Sequence, residues 1–390
     1  MSEWTRRAFM ATAMSYRRLW GANERIGIGI LGCGGRGQYL LQLFAAEPGV
    51  EIRMVCDVYA PRRLQARQLA GASCEEVADY RKVLERRDID AVVIATPDHW
   101  HVRMTLDAIA ADKDVYVEKP VSHDIAEGEA LRREAAQSQR VIQAGYQQRS
   151  WPHFLRAREA IASGILGQVS LALTSWYQNY LKAQPPRVEL DVTQLDWQQW
   201  LGPAPAQPFD PLKYAQWRWF WDFGGGHLTD LFSHWCDTLH WLLDLEFPTR
   251  AQAAGAQCVA RYVECPDTIN ASWEYAGLLV VYNGTMHCRL EGGNIVLRGE
   301  RAMMRLNRDG FAIYPEGVLP AENTSLPQPL LEERSSGDGT VAHIRNFLEC
   351  IRSRKQPNSR VEDAVRAAHV AHLGNLAYRL GRPVEWGGTR

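Results

Sequence analysis

The feature that most constrains the fold of this 390-residue chain is the turn Gly32-Cys33-Gly34-Gly35-Arg36-Gly37 with its two flanks. A short apolar run, residues 25–31 (RIGIGIL), leads into it. After it, QYLLQLFAAEP carries apolar residues at helical spacing until Pro48, and VEIRMVCD returns as a second strand. Strand, glycine turn, helix, strand is the context in which a GxGxxG spacing carries meaning. Gly32 allows the tight turn, Gly34 lets backbone approach a pyrophosphate, and Gly37 lets helix and strand pack closely. Gly35 and Arg36 complete the turn, and the helix N-terminus offers free N–H donors to phosphates. Asp57 closes the second strand twenty residues past Gly37, where an acid accepts hydrogen bonds from a ribose diol. The alternative is a surface Asp capping a helix that starts near Pro61. An acid at this place disfavours a 2′-phosphate, so NAD is expected over NADP, although Arg62 and Arg63 stand close by.

The alternation continues for about 125 residues, in the manner of βαβ units. DAVVIATP (90–97) is a continuous apolar run, as a strand buried on both faces requires. HVRMTLDAIAAD reads as a helix, DVYVEKP (114–120) as a strand, IAEGEALRREAAQSQR as a helix and VIQAGYQQR (141–149) as a sixth strand-like run. The expected fold is α/β, with a doubly wound parallel sheet that binds its ligand at the carboxyl ends of the strands. Those ends hold Thr96-Pro97-Asp98-His99-Trp100-His101, Glu118-Lys119-Pro120 and Tyr146-Gln147-Gln148-Arg149.

Past residue 150 the pattern changes. QVSLALTSWYQ (168–178) reads as a strand, 183–212 as a Pro- and Gln-rich surface excursion, and GGGHLTDLFSHWCDTLHWLL as a helix starting near His227. Strand-like segments fill 249–316 with turn signals at Asn283-Gly284 and Gly292-Gly293, and two helices close the chain. The expected organisation is an N-terminal arm (1–24), a nucleotide-binding domain (25–148) and a second α/β domain with an antiparallel sheet (149–390). On the 227–243 helix Asp230 and His234 are four apart, hence on one face. A carboxylate beside an imidazole fixes its tautomer; the alternative is a surface pair without chemistry.

Together GCGGRG, Asp57, TPDHWH, YVEKP and DFGGGHLTDLFSHWCD (222–237) resemble the Gfo/Idh/MocA family of NAD(P)-dependent oxidoreductases over about residues 25–385. The resemblance implies a large open antiparallel sheet that forms an oligomer interface, hence a homodimer or homotetramer. It also implies that Lys119 sits beside nicotinamide and substrate, and that Asp230 and His234 are the other two reacting positions. The expected cofactor set is Gly32, Gly34, Gly35, Arg36, Gly37, Asp57, Thr96, Pro97, His101, Glu118, Lys119 and Gln147. The expected substrate set is Lys119, Arg149, Trp219, Trp221, His227, Asp230 and His234.

Of 14 tryptophans, nine lie between Trp151 and Trp241. Most read as core. In YAQWRWFWDF, alternation in an extended segment sends Trp217, Trp219 and Trp221 to one face, and such an aromatic wall suits a carbohydrate ring. Arg149 is placed to add donors to ring hydroxyls.

Composition narrows the classes further. Lys plus Arg is 44 against 45 for Asp plus Glu, which gives no electrostatic footprint for nucleic acid or an anionic membrane. No apolar run reaches membrane-spanning length. The eight cysteines show no CxxC and no zinc spacing, so reduced, mostly buried thiols are expected and no metal site. Thr5-Arg6-Arg7-Ala8-Phe9-Met10 resembles a twin-arginine export signal, but its apolar stretch is cut short by Ser15-Tyr16-Arg17-Arg18. The expectation is a cytoplasmic protein with a basic arm; the alternative is periplasmic export. The expected activity is NAD-dependent oxidation or reduction at a ring hydroxyl of a sugar, glycoside or cyclitol. The alternatives are a glycoside hydrolase that cycles its NAD, and a non-catalytic sensor.

Overall fold

The computed structural model describes residues 25–318 and 326–387. Strands β1 (Ile26–Leu31), β2 (Val50–Cys56), β3 (Glu75–Val77), β4 (Ala91–Ile94), β5 (Asp114–Val117) and β6 (Ile142–Ala144) form one sheet, in the order β3-β2-β1-β4-β5-β6. Every pairing in it is parallel. All residues of β1, β4, β5 and β6 are buried, because helices cover both faces and leave no polar side for the sequence to alternate with. Those helices are α1 (Gly35–Ala46), α2 (Ala60–Ala70), α3 (His101–Ala110) and α4 (Ile125–Gln137). Strand order reverses between β1 and β4, so the connections leaving their carboxyl ends diverge and open a crevice. The edge strand β3, of sequence Glu-Glu-Val, has too little apolar pattern to be read in advance. β6 is shorter than the run 141–149 expected: the chain leaves the sheet after Ala144 and winds into a 3₁₀ turn over Gln147–Ser150.

The second sheet has nine strands. In chain order these are β7 (Val169–Tyr177), β8 (Arg250–Ala256), β9 (Thr268–Tyr275), β10 (Leu278–Thr285), β11 (Gly293–Gly299), β12 (Ala302–Asn307), β13 (Gly310–Pro315), β14 (Leu331–Arg334) and β15 (Val384–Glu385). Their order across the sheet is β14-β13-β12-β11-β7-β10-β9-β8-β15. All neighbours are antiparallel except the central pair β7 and β10. The antiparallel expectation therefore holds with one exception. A parallel pair needs a long crossover, and here that connection contains α6 (Ser233–Leu243), β8 and β9. Helix α5 (Pro152–Ala162), α6 and α8 (Val361–Leu380) accompany this sheet, and Trp235, Trp273 and Phe232 lie in its core. Helix α7 (Gly339–Ser353) instead returns to the first sheet, where Phe347 meets Phe44 and Tyr116 edge-on. On the sheet's other face Leu171 lies opposite Leu279, and Leu173 opposite Val281 and Val296; Leu279 is exposed and the other four are only partly covered.

The segment 183–212 is not a free surface excursion. It folds back over the carboxyl end of the first sheet: the Asp196 N–H donates to the Val58 carbonyl (3.1 Å) and Leu195 bridges Tyr59. The Trp200 carbonyl accepts from the Trp100 indole at 2.9 Å and faces His99 Nε2 at 3.1 Å. Trp200 and Leu201 of this segment form a small core with Tyr214, Phe220 and Phe223 of the stretch that follows it. The expected extended run of tryptophans is also corrected, because Trp217–Trp219 is a 3₁₀ turn and alternation is lost. Trp219 turns inward, Trp217 faces the crevice, and Trp221 packs on Tyr378 and Arg379.

The eight cysteines are unpaired, and six are buried. The N-terminal arm or export signal lies outside the described residues. Among those described, no helix is long and apolar enough to cross a membrane.

Candidate active site

Two hollows open off the crevice and share Arg36, Thr96, Trp217 and Arg218 as a common wall. The larger, about 430 Å³, runs along the glycine turn. Gly32 has φ of +89°, and a Cβ on it would meet the Ala95 backbone at 2.7 Å. A Cβ on Gly37 would lie 1.9 Å from the Gly32 carbonyl oxygen, so α1 can approach β1 only without one. Beyond Gly35 nothing lies within 4 Å, and beyond Gly34 only Arg62 Nη1 at 3.9 Å. The turn thus leaves backbone open at the N-terminus of α1, where N–H groups point outward.

Asp57 lines this hollow. Its carboxylate accepts from the Cys33 N–H at 2.7 Å and the Tyr59 N–H at 2.9 Å, which ties the end of β2 to the turn. Burial raises its pKa, opposed by the nearby Arg62 and by these two hydrogen bonds. Arg62 lies over the Tyr214 ring at 5.0 Å. Pro97 also borders this hollow.

The cleft fits a dinucleotide on the chemistry of its donors. Three buried polar atoms of residues lining it, Arg36 Nη2, Thr96 Oγ1 and Gln147 Oε1, have no partner among the described residues. They offer donor and acceptor groups beside a backbone cradle that any side chain at Gly34 or Gly35 would fill.

The smaller hollow, about 250 Å³, holds the reacting candidates. Lys119 Nζ donates to the Asp230 carboxylate at 2.7 Å and to its backbone carbonyl at 2.6 Å. Asp230 lies in a π-turn, Leu228–Phe232, that precedes α6; such widened turns recur at functional sites. Arg218 Nε donates to the same carboxylate at 3.3 Å. Burial opposes the charge on Asp230, yet Lys119 and Arg218 outweigh it and hold its pKa down at about 2.

His234 lines the same hollow, but not as Asp230's partner. Its Nδ1 faces Gln148 Oε1 at 3.3 Å, and its ring stacks on Trp176, centroids 5.4 Å apart. Burial, then the nearby cations Lys119, Arg308 and Arg36, push its pKa well below the ordinary histidine value. The expected Asp230–His234 pair is therefore corrected: two cations claim the carboxylate, and a neutral imidazole does not compete with them. The Gln148 amide oxygen can accept from an Nδ1–H, the tautomer that leaves Nε2 a free lone pair.

The remaining expected residues divide. His101 lines this hollow and bridges the Thr96 and Pro120 carbonyls (2.9 and 2.6 Å), fastening the turn after β4 to the segment that carries Lys119. Glu118 accepts from Arg36 Nε at 2.8 Å. Trp219 borders an adjoining hollow with Tyr180, Arg218 and Asp230. Three substrate expectations are corrected. Arg149 is 6% exposed and bound to Asp237 (2.9 Å) and Asp363 (3.3 Å), because two buried carboxylates hold it in the interior. His227 is buried behind the cleft with Nδ1 on the Tyr282 hydroxyl at 2.7 Å, and burial lowers its pKa to about 4. Trp221 lies against α8, away from both hollows.

Among the residues missed as site candidates are Asp98, Gln148, Arg218 and Arg308. Gln148 belongs to the strand-end run Tyr146–Arg149, and Arg218 lies between two tryptophans of the aromatic run. Asp98 lines the hollow, and burial raises its pKa well above the carboxylate range. Arg308 had no sequence signal.

The geometry agrees with what this chain is similar to. The family model described as an oxidoreductase family with an NAD-binding Rossmann fold matches residues 26–146, and the GFO/IDH/MocA C-terminal domain matches 154–305. An uncharacterised oxidoreductase, YrbE of Bacillus subtilis, is 30% identical over 93% of this chain and 97% of its own. A glycosyl hydrolase family 109 protein of Saccharopolyspora erythraea is 34% identical, and an inositol 2-dehydrogenase of Rubrobacter xylanophilus 30%. Those two matches span 38% and 41% of this chain, and only 34% and 46% of the relatives' own lengths. A solved levoglucosan dehydrogenase, in complex with NADH and levoglucosan, superposes with a TM-score of 0.73 at 17% identity, covering 93% of this chain and 99% of that one. The cleft at the glycine turn is the site of an NAD-binding domain, and the chain belongs to the Gfo/Idh/MocA family of oxidoreductases.

Proposed function

We propose that the protein is an NAD-dependent dehydrogenase acting on a ring hydroxyl of a sugar, glycoside or cyclitol. The observation that carries this reading is that Lys119, Asp230 and His234 line one hollow, which shares a wall with the hollow at the glycine turn. Bound NAD supplies the hydride acceptor. Gly34, Gly35 and the N-terminus of α1 hold its pyrophosphate, Asp57 its adenosine ribose, and Arg36, Thr96 and Gln147 offer their unpartnered atoms. His234 Nε2 takes the hydroxyl proton as hydride leaves the same carbon. Its depressed pKa keeps the ring neutral at pH 7, as a base requires. Lys119 holds the reacting oxygen and offsets its developing negative charge. Asp230 and Arg218 fix the position of that ammonium, and Gln148 takes over the orienting role expected of Asp230. Purified protein incubated with NAD and a panel of sugars and cyclitols forms NADH in equal amount to substrate consumed. If no member of such a panel reduces NAD, the reading fails.

The second reading, a glycoside hydrolase that oxidises, eliminates the aglycone, adds water and reduces again, is favoured by two observations. One is the family 109 relative. The other is the Trp200 segment, which lines the glycine-turn hollow and is hydrogen-bonded to Trp100 beside it, an arrangement that suits a retained cofactor. This cycle releases aglycone with no net NADH, so the same assay separates the two readings.

We also propose that the apolar rows of the second sheet left open to solvent, the exposed Leu279 and the half-covered Leu171, Leu173, Val281 and Val296, are buried between subunits of a homodimer or homotetramer. A monomeric mass in light scattering at micromolar concentration contradicts this.

A further inference from the structure

Arg308 stands on the turn between β12 and β13, with its guanidinium 4.7 Å from the centroid of the Trp176 ring that stacks on His234. It lines the reacting hollow with Lys119, Arg218 and His234. The other cations there are matched: Lys119 and Arg218 share Asp230, and Arg36 pairs with Glu118. Arg308 is not. Among the described residues no carboxylate stands within ion-pair distance of it, and its Nε is buried without a hydrogen-bond partner.

The charged groups that face it are Arg36, Asp338 and Glu118. Asp338 is committed to the Tyr39 hydroxyl and the Thr340 N–H, and Glu118 to Arg36. Burial, and then the like charge of Arg36, lower the Arg308 pKa to about 10. The hollow therefore carries four cations against three carboxylates, Asp98, Glu118 and Asp230, and burial pushes the Asp98 pKa up. A partly buried guanidinium without a counter-charge is costly unless a ligand supplies one.

We propose that Arg308 forms an anion subsite, and that the substrate is a sugar acid whose carboxylate pairs with this guanidinium while its ring hydroxyl faces Lys119 and His234. This rests on the dehydrogenase reading and specifies its substrate class. Guanidinium and carboxylate match in shape as well as charge. The other source of an anion is the cofactor's pyrophosphate, but the glycine turn lies in the larger hollow, on whose wall Arg308 does not stand.

The test titrates NADH-loaded protein with D-glucuronate and with D-glucose at low ionic strength, following tryptophan fluorescence. Glucuronate is expected to bind about ten- to a hundred-fold more tightly, the range for a hydrogen bond to a charged group. Arg308→Gln removes that difference and Arg308→Lys keeps part of it. Arg305→Gln, at an exposed arginine of β12, leaves it intact, and NADH affinity is unchanged throughout. Equal binding of the two sugars by the wild type overturns the subsite. So does an Arg308→Gln variant that loses NADH affinity but keeps the preference, which assigns the residue to the cofactor's phosphates. NADH formation from neutral sugars with no preference for their acids defeats the subsite alone. Failure of all sugars, neutral and acidic, to reduce NAD defeats the dehydrogenase reading too.

Discussion

The two hollows of the cleft are built from different materials. The one at the glycine turn is made of backbone: a positive φ at Gly32, missing side chains at Gly34, Gly35 and Gly37, and the free end of α1. The turn, α1 and Asp57 come from one stretch of about thirty residues, and residues between 78 and 104 and between 198 and 218 complete the walls around them. The reacting hollow is made of side chains brought from far apart. Lys119 follows β5, Asp230 sits in the π-turn before α6, His234 is on α6, and Arg308 is on a hairpin of the second sheet. The difference teaches where each half is vulnerable. A backbone cradle fails through steric intrusion, and a side-chain constellation through loss of a single charge or proton acceptor.

The largest effect expected on folding comes from a residue that belongs to neither hollow. Arg149→Ala leaves Asp237 buried without its counter-charge, while Asp363 keeps Arg360, and removing one partner of such a buried pair costs about 3–5 kcal/mol of stability. Denaturant unfolding measures it. Unchanged stability together with a raised KM for the sugar would return Arg149 to the cleft and redraw the boundary between scaffold and site. Next, Gly37→Ala forces a Cβ against the Gly32 carbonyl oxygen, an overpacking worth about 1–3 kcal/mol. The loss should appear in NAD affinity and stability together, and a variant with normal NAD binding contradicts the cradle. The smallest effect is on selectivity. Asp57→Ala should narrow the preference for NAD over NADP by weakening NAD, read from paired fluorescence titrations; a wild type that binds NADP more tightly refutes the role given to Asp57.

The same difference explains what was legible in the sequence. The glycine turn, β1, β2, α1 and Asp57 could be read because their logic is local: hydrophobic period, turn residues, and one acid at a fixed distance. β3 could not, since three residues with two glutamates carry no period. The Trp217–Trp221 run misled because alternation assumes an extended chain, and the 3₁₀ turn there rotates each indole differently. Residues 183–212 looked like surface because Pro and Gln dominate, while the contacts that fix the segment, Asp196 to Val58 and Trp200 to Trp100, join parts of the chain about a hundred residues or more apart. Spacing puts Asp230 and His234 on one face; both line the reacting hollow, where the carboxylate bonds Lys119 and Arg218 and the imidazole faces Gln148. Which cation a carboxylate chooses depends on charges that no helical period records. Arg308 lay deepest in this blind spot, as one arginine among many with nothing local to mark it.

The central claim is that the two halves are separable: the glycine turn binds the cofactor, and His234, with Lys119, does the chemistry. The most direct measurement is turnover and NAD affinity side by side for His234→Ala on the substrate the panel identifies. Loss of a positioned proton acceptor lowers turnover by about 10²–10⁴-fold, while NAD affinity, set by the other hollow, stays at its wild-type value. Normal turnover in that variant, or a fall in NAD affinity that matches the fall in turnover, contradicts the account.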